Sequence, residues 1–320
     1  MSGFTITGGV SFSGAVSMSD APPPENTAAW FGGGNGSAVS TVDRVTFATD
    51  TATASVRGPL SLARQSLAAA SNFTDGWFGG GLVTTPAVVG TSRVDRITYA
   101  TDTATASVRG PLSLTRLTFS ATGNTTDGWF GGGANPAIVS RVDRITYATD
   151  TATASVRGPL SRVLSGAAAA GNSDYGWFSG GMIATLPYTI STVNRITYAT
   201  DTNTASVRGP LSGNQYIFAA AGNSTNGWFG GGRPGFLSTV QRITYATDTA
   251  TASVRGPLSL GRNGLGAAGN TTNGWFGGGQ TPANVTTVDR ITYATDTATA
   301  SVRGPLSSAK NYLAAAGGIQ

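Results

Sequence analysis

The chain has 320 residues, of which 39% are hydrophobic and only 11% charged, with 46 glycines and 20 basic against 15 acidic side chains for a net charge of +5. It has no histidine and no cysteine, which excludes disulfides, thiolate metal centres and the usual nucleophile–base pairs. The basic residues recur at even intervals instead of clustering, which argues against a nucleic-acid partner, and no stretch approaches the ~20 apolar residues needed for membrane insertion.

Residues 1–28 stand apart from the rest. Phe4-Thr5-Ile6-Thr7 and Val10-Ser11-Phe12-Ser13 alternate as strands do, and Pro22-Pro23-Pro24 reads as a stiff spacer. The segment lacks the basic n-region of a secretory signal. Its strands are expected to pack on the main body or to dock on another subunit by strand addition.

Residues 29–320 are six copies of one unit. Arg44 and Arg57 are 13 residues apart, and the same spacing separates Arg96 from Arg109, Arg144 from Arg157, Arg195 from Arg208, Arg242 from Arg255 and Arg290 from Arg303. The next tryptophan, Trp77, Trp129, Trp177, Trp228 or Trp275, lies 20 residues beyond the second arginine each time. Between the tryptophan and the next arginine the interval varies from 14 to 19 residues, so all length variation sits in one connection.

Each unit reads as four strands. In the second, Val94-Asp95-Arg96-Ile97-Thr98-Tyr99-Ala100 alternates apolar with polar, Thr101-Asp102-Thr103 makes a turn, and residues 105–109 return until Gly110-Pro111 stops them. A small-residue strand follows at 119–123, then an Asn-Thr-Thr-Asp-Gly turn, then Trp129-Phe130-Gly131-Gly132-Gly133. Neighbouring Trp and Phe point to opposite faces of a sheet, so both faces must be covered. Four short strands per unit, covered on both faces and repeated six times, predict an all-β, six-bladed β-propeller with the small-residue strand at the crowded centre. Trp30 lacks an inner partner before it, and the C-terminal strand near 312–317 supplies one, so strands from both ends share one blade and close the ring.

The aspartates Asp50, Asp102, Asp150, Asp201, Asp248 and Asp296 are most simply turn formers. Asp75, Asp127 and Asp174 read the same way, since Asn226 and Asn273 replace them. Asp43, Asp95, Asp143 and Asp289 precede the first arginine of their units and are placed to pair with it or its neighbours; Asn194 and Gln241 replace them, so a charge there is dispensable. The single glutamate is Glu25, and an active site is rarely needed in six copies, so no catalytic residue, metal site or cofactor is expected. The Gly-Gly-Gly runs are not phosphate loops, having no following helix or lysine.

The loop after the Trp strand and the link after Gly-Pro-Leu-Ser emerge at the same end of every blade, and there the copies differ most. Variable loops on a uniform scaffold are where recognition is carried. Arg93, Arg141, Tyr188, Arg233, Phe236 and Asn284 are the side chains in those loops best suited to contact a partner.

The order of small-residue strand, Trp-Phe-Gly-Gly-Gly, variable loop, Val-Asp-Arg-Ile-Thr-Tyr and a basic residue after the Pro-containing link resembles kelch repeats. Arg64, Arg116, Arg262 and Lys310 match that basic residue; Leu164 and Gln215 depart from it, and the tryptophan usual before the link is missing. The phrase Asp-Thr-Ala-Thr-Ala-Ser-Val-Arg-Gly-Pro-Leu-Ser with Gly-Trp-Phe-Gly-Gly-Gly is similar to repeats in virion structural proteins of marine cyanophages. That resemblance implies a virion component of tail or fibre type, made in the host cytoplasm. The expectation is therefore a non-enzymatic receptor-binding or adhesion module, its partners a host surface glycan or protein and other virion proteins. The alternative is a purely structural fibre or decoration subunit, a possible homo-oligomer assembled through residues 1–28.

Overall fold

A computed structural model describes residues 26–35, 38–85 and 87–317; the strands expected before Pro22 lie outside them. The described residues form six four-stranded antiparallel sheets and three two-stranded ones within the loops, with no α-helix among them. In the second sheet the order from the axis outward is Ala68–Ser71, Asp75–Gly79, Val94–Thr98 and Ser107–Arg109. The inner strands Ala68–Ser71, Ser120–Gly123, Ala168–Gly171, Ala219–Gly222, Gly266–Gly269 and Ala314–Ala316 each touch the next, and the last touches the first. Alanine and glycine fill this position because six backbones converge on one axis.

The first sheet joins the two ends of the chain. Ala28–Gly32, Val42–Thr46 and Ser55–Arg57 pair in order, and Ala314–Ala316 adds to the inner edge with Trp30 opposite Ala316. Closure therefore follows the expected scheme, and it leaves no open seam between first and last units.

One boundary differs from the sequence reading. The third strand ends at Thr98, and Tyr99–Thr101 forms a single 3-10 turn, repeated in every unit. The turn swings the aromatic ring out of its own sheet to lie flat on the tryptophan of the preceding blade. Trp30 stacks on Tyr99 at 3.7 Å, Trp77 on Tyr147 at 3.8 Å, and at the seam Trp275 stacks on Phe47 at 3.8 Å. Stacked aromatic pairs are worth about 0.5–1.5 kcal/mol each beyond their buried area. Burial also pushes the hydroxyls of Tyr99, Tyr147, Tyr198, Tyr245 and Tyr293 well above the usual phenol range.

The aspartate after each 3-10 turn does more than shape it. Asp102 Oδ2 accepts the indole N–H of Trp30 at 2.8 Å and Nη1–H of Arg44 at 3.1 Å, with Arg57 Nε at 3.5 Å, all from the preceding blade. Asp150, Asp201, Asp248 and Asp296 take the same partners in turn, and Asp50 receives Trp275, Arg290 and Arg303 to complete the circle. The repeated Trp, Arg and Asp are thus one joint between consecutive blades.

The glycine of Gly-Pro-Leu-Ser serves the same joint. Gly110 N–H donates to Asp150 O at 2.8 Å, and a Cβ on Gly110 would fall 1.9 Å from Ala152 O. Gly58, Gly158, Gly209, Gly256 and Gly304 are equally crowded by the next blade. We expect Gly110→Ala to destabilise the protein by about 1–3 kcal/mol through overpacking. Gly213→Ala, where no atom lies within 4 Å, should stay within about 0.5 kcal/mol of the parent. Paired urea unfolding curves check both, and equal midpoints for the two variants would show that the contact does not constrain the fold.

Candidate binding face

The two variable loop sets meet at one end of the ring, as their strand directions require. In each blade the link bridges the loop: Gln65 with Leu82, Leu117 with Ala134, Ser165 with Met182, Tyr216 with Arg233, Asn263 with Gln280 and Asn311 with Asn35. Their backbones form a continuous floor, and the differing side chains project from it.

Under the floor lies a polar network that supports it. In the second blade Asp95 Oδ2 accepts Arg64 Nη1–H at 2.8 Å and the Ser61 N–H at 3.1 Å, while Oδ1 accepts the Ser61 hydroxyl. Arg64 Nη2–H also reaches Phe78 O at 2.9 Å, and both charged side chains are fully buried. Arg116 with Asp143, Arg262 with Asp289 and Lys310 with Asp43 repeat the ion pair at 2.8 Å. So these aspartates pair with the basic residue of the link, not with the arginine that follows them in sequence. Burial pushes the Arg116 guanidinium down to about 10, with the Asp143 carboxylate pulling the other way; burial lowers Arg64 likewise.

The fourth and fifth blades solve the same site without charge. In the fourth, Leu164 takes the place of the basic residue and is fully buried, while Asn194 keeps the Ser161 N–H bond at 3.0 Å; in the fifth, Gln241 donates to Gln215 Oε1 at 2.6 Å while accepting from Ser212. Wherever the aspartate is lost its basic partner is lost too. That joint replacement was visible in the sequence as two separate departures, and pairing them was the missed signal.

Of the rim residues, Arg93 and Arg141 anchor to this network: their Nε–H groups donate to Ser61 Oγ at 2.7 Å and Ser113 Oγ at 2.8 Å, with each side chain about a third exposed. Arg233 exchanges backbone hydrogen bonds with Tyr216. Asn284 donates to Asn35 O at 3.1 Å, tying the sixth loop to the first. Tyr188 and Phe236 project, 51% and 41% exposed. Tyr188 holds φ +61° within a turn closed by its N–H to Thr185 O at 2.8 Å, a conformation that costs an ordinary residue about 1–2 kcal/mol.

At the axis the same face is sealed. Ser66, Thr118, Gly166, Ile217, Gly264 and Tyr312, one from each link, all have positive φ. Each donates its N–H to the carbonyl of the one before: Thr118 to Ser66, Gly166 to Thr118, Ile217 to Gly166, Gly264 to Ile217, Tyr312 to Gly264 and Ser66 to Tyr312, at 2.6–3.0 Å. The circle leaves a hollow of about 60 Å³ beneath it, and an alanine-lined one of about 90 Å³ lies further along the axis. Both hold waters at most, since small-molecule sites run to about 300 Å³ and more. Larger grooves of about 430, 290 and 480 Å³ open between blades at the opposite end, beside the Trp–Asp–Arg joints, whose carboxylates are already engaged.

At that opposite end Asp75 and Asp127, read from sequence as turn formers, instead open the Trp strands and accept from Thr98 and Thr146 across the sheet, while the Asn72 and Asn124 side chains close the turns. Tyr175, not Asp174, holds the equivalent place in the fourth blade, directly opposite Thr197, and its ring lies under the Arg195 guanidinium at 4.5 Å. Among the described residues no three His, Cys, Asp or Glu side chains gather as a metal site, and no helix is long and apolar enough to cross a membrane.

No family model and no curated protein matches the chain. Among solved structures it is similar to YjhT, with a TM-score of 0.64 and 12% identity over 79% of this chain and 87% of that one. The chain is a six-bladed β-propeller. At this identity the likeness speaks to fold alone, so what the propeller binds has to be argued from its own surfaces.

The neutral blades suggest how the buried pairs behave. Asp143→Asn alone strands the Arg116 charge in the interior and is expected to cost about 3–5 kcal/mol. Adding Arg116→Leu, which recreates the fourth-blade pair, should recover most of that loss. A double-mutant cycle by denaturant unfolding checks the coupling, and simple additivity would show that the two side chains do not act as a pair.

Proposed function

We propose that the propeller is a non-enzymatic binding module that attaches to a surface glycan or protein through its variable face. The observation that supports the reading is the contrast between the two ends of the ring. The joints and turns at one end repeat almost unchanged, whereas the loops at the other differ in length and side chain yet rest on a floor locked by backbone bridges. A rigid frame beneath divergent loops lowers the ordering cost of binding. The absence of histidine and cysteine from the sequence and the engagement of the repeated carboxylates in structural bonds favour binding over catalysis. The likeness of the repeat phrase to cyanophage virion proteins supports, in this reading, a role on a phage particle at the stage of host attachment.

Grafting the short first-unit segment 35–41 in place of residues 182–192 should leave the melting temperature within a few degrees while abolishing strain-selective binding of the labelled protein to cyanobacterial cells. Undiminished, equally selective binding by the graft would sink the recognition role of the rim.

A second reading, a structural subunit, draws on the outer strands. Val56, Val108, Val156, Val207, Val254 and Val302 are 50–61% exposed and identical in all six blades, although packing does not require them to be. A lateral contact between copies would use such a ring. Light scattering of the full chain should then give an oligomer that Val56→Lys with Val156→Lys and Val254→Lys breaks; a monomeric parent at micromolar concentration would remove this reading.

A further inference from the structure

We infer that the variable face is built for an anionic glycan, carrying an arc of positive charge over the second to fifth blades. The inference rests on the reading of that face as the binding surface. Neither the six loops nor the six links that form the face contain a single aspartate or glutamate. They do contain Arg93, Arg141, Arg162 and Arg233, one on each of four consecutive blades.

The carboxylates nearest these arginines do not neutralise them. Asp95 and Asp143 lie buried under the loops and are already paired at 2.8 Å with Arg64 and Arg116, so Arg93 and Arg141, at 3.6 and 3.5 Å, remain surplus. Their Nε–H groups are used by Ser61 and Ser113, which holds each guanidinium in place while about a third of each side chain stays exposed. Arg162 is exposed, and neither it nor Arg233 has an ion-pair partner among the described residues. The loops of the first and sixth blades supply no basic side chain, and Lys310 is buried against Asp43. Meanwhile Asp75, Asp127 and Asp174 lie at the opposite end of the ring. The loops and links of the variable face thus carry cations with no free carboxylate among them, a local potential that attracts anions.

The spacing favours a sparsely charged sugar polymer over nucleic acid. Stacked sheets are about 10 Å apart, so arginines set one per blade are anchored at about that spacing, whereas duplex DNA presents a charge every ~1.7 Å of its axis. Tyr188 and Phe236 rise beside the arginines on the fourth and fifth blades, and their flat apolar faces suit sugar rings between the acidic groups. Guanidinium forks suit carboxylate or sulfate geometry.

The test is fluorescence anisotropy of the full chain with labelled polygalacturonate, neutral dextran and a DNA duplex, at 50 and 300 mM NaCl. We expect polygalacturonate to bind most tightly and to weaken at least about tenfold over that salt range. Arg162→Glu with Arg233→Glu should weaken it about tenfold or more with unchanged melting temperature, since these side chains make no ion pair to lose. Dextran bound as well as polygalacturonate, DNA bound more tightly, or an affinity indifferent to salt and to the double variant would each overturn the inference. The same proteins applied to cyanobacterial cells separate the two ideas. Selective cell binding that ignores salt and the double variant overturns the anionic ligand while leaving attachment standing; polygalacturonate binding without any cell binding overturns attachment.

Discussion

The joint between blades carries this structure. One carboxylate after each 3-10 turn takes a tryptophan N–H and two arginines from the blade before it, while the adjacent aromatic ring stacks on the same tryptophan. Two cations on one anion are tolerated because the arginines keep partial contact with solvent, and the charged acceptor makes the indole bond stronger than a neutral one. Because Asp50 closes the sixth joint with Trp275, every blade is held on both sides, and none is an end.

That closure explains where freedom is left. The inner strand must be small, the link must begin with glycine, and the joint must keep its Trp, Arg and Asp, so most of each unit is fixed by contact with its neighbours. The loop after the Trp strand is tied at its two ends to the links on either side of it, leaving its middle free to vary. Insertions there cost little because loop entropy grows slowly with length, and the buried polar network beneath, ionic in four blades and neutral in two, holds the floor steady whatever the loop carries.

Several features of the site could be read before any coordinates. Strand count, blade count, the pairing of both ends in one blade and the shared face of loop and link all followed from spacing and alternation. The role of Asp102 and its equivalents did not, because a turn aspartate satisfies its local rules whether its carboxylate faces water or the next blade. The Arg64–Asp95 pairing was likewise hidden: 31 residues separate the two side chains, and only the joint loss at Leu164 with Asn194 and at Gln215 with Gln241 hinted at it. The positive-φ circle at the axis was foreshadowed by Gly166 and Gly264 alone, since Ser66, Thr118, Ile217 and Tyr312 conform to it under tertiary constraint.

By itself the sequence determined the repeat, and through the repeat the architecture, because a unit that buries both faces of a four-stranded sheet needs a neighbour on each side. It also determined which functions lack their chemistry, through the residue types it omits. Tertiary structure alone decided which charges are spent on holding blades together and which are left over. Coulomb pairing depends on distances across the ring that no local pattern records, and those distances leave Arg162 and Arg233 without an ion-pair partner among the described residues while Arg64 and Arg116 are buried with theirs.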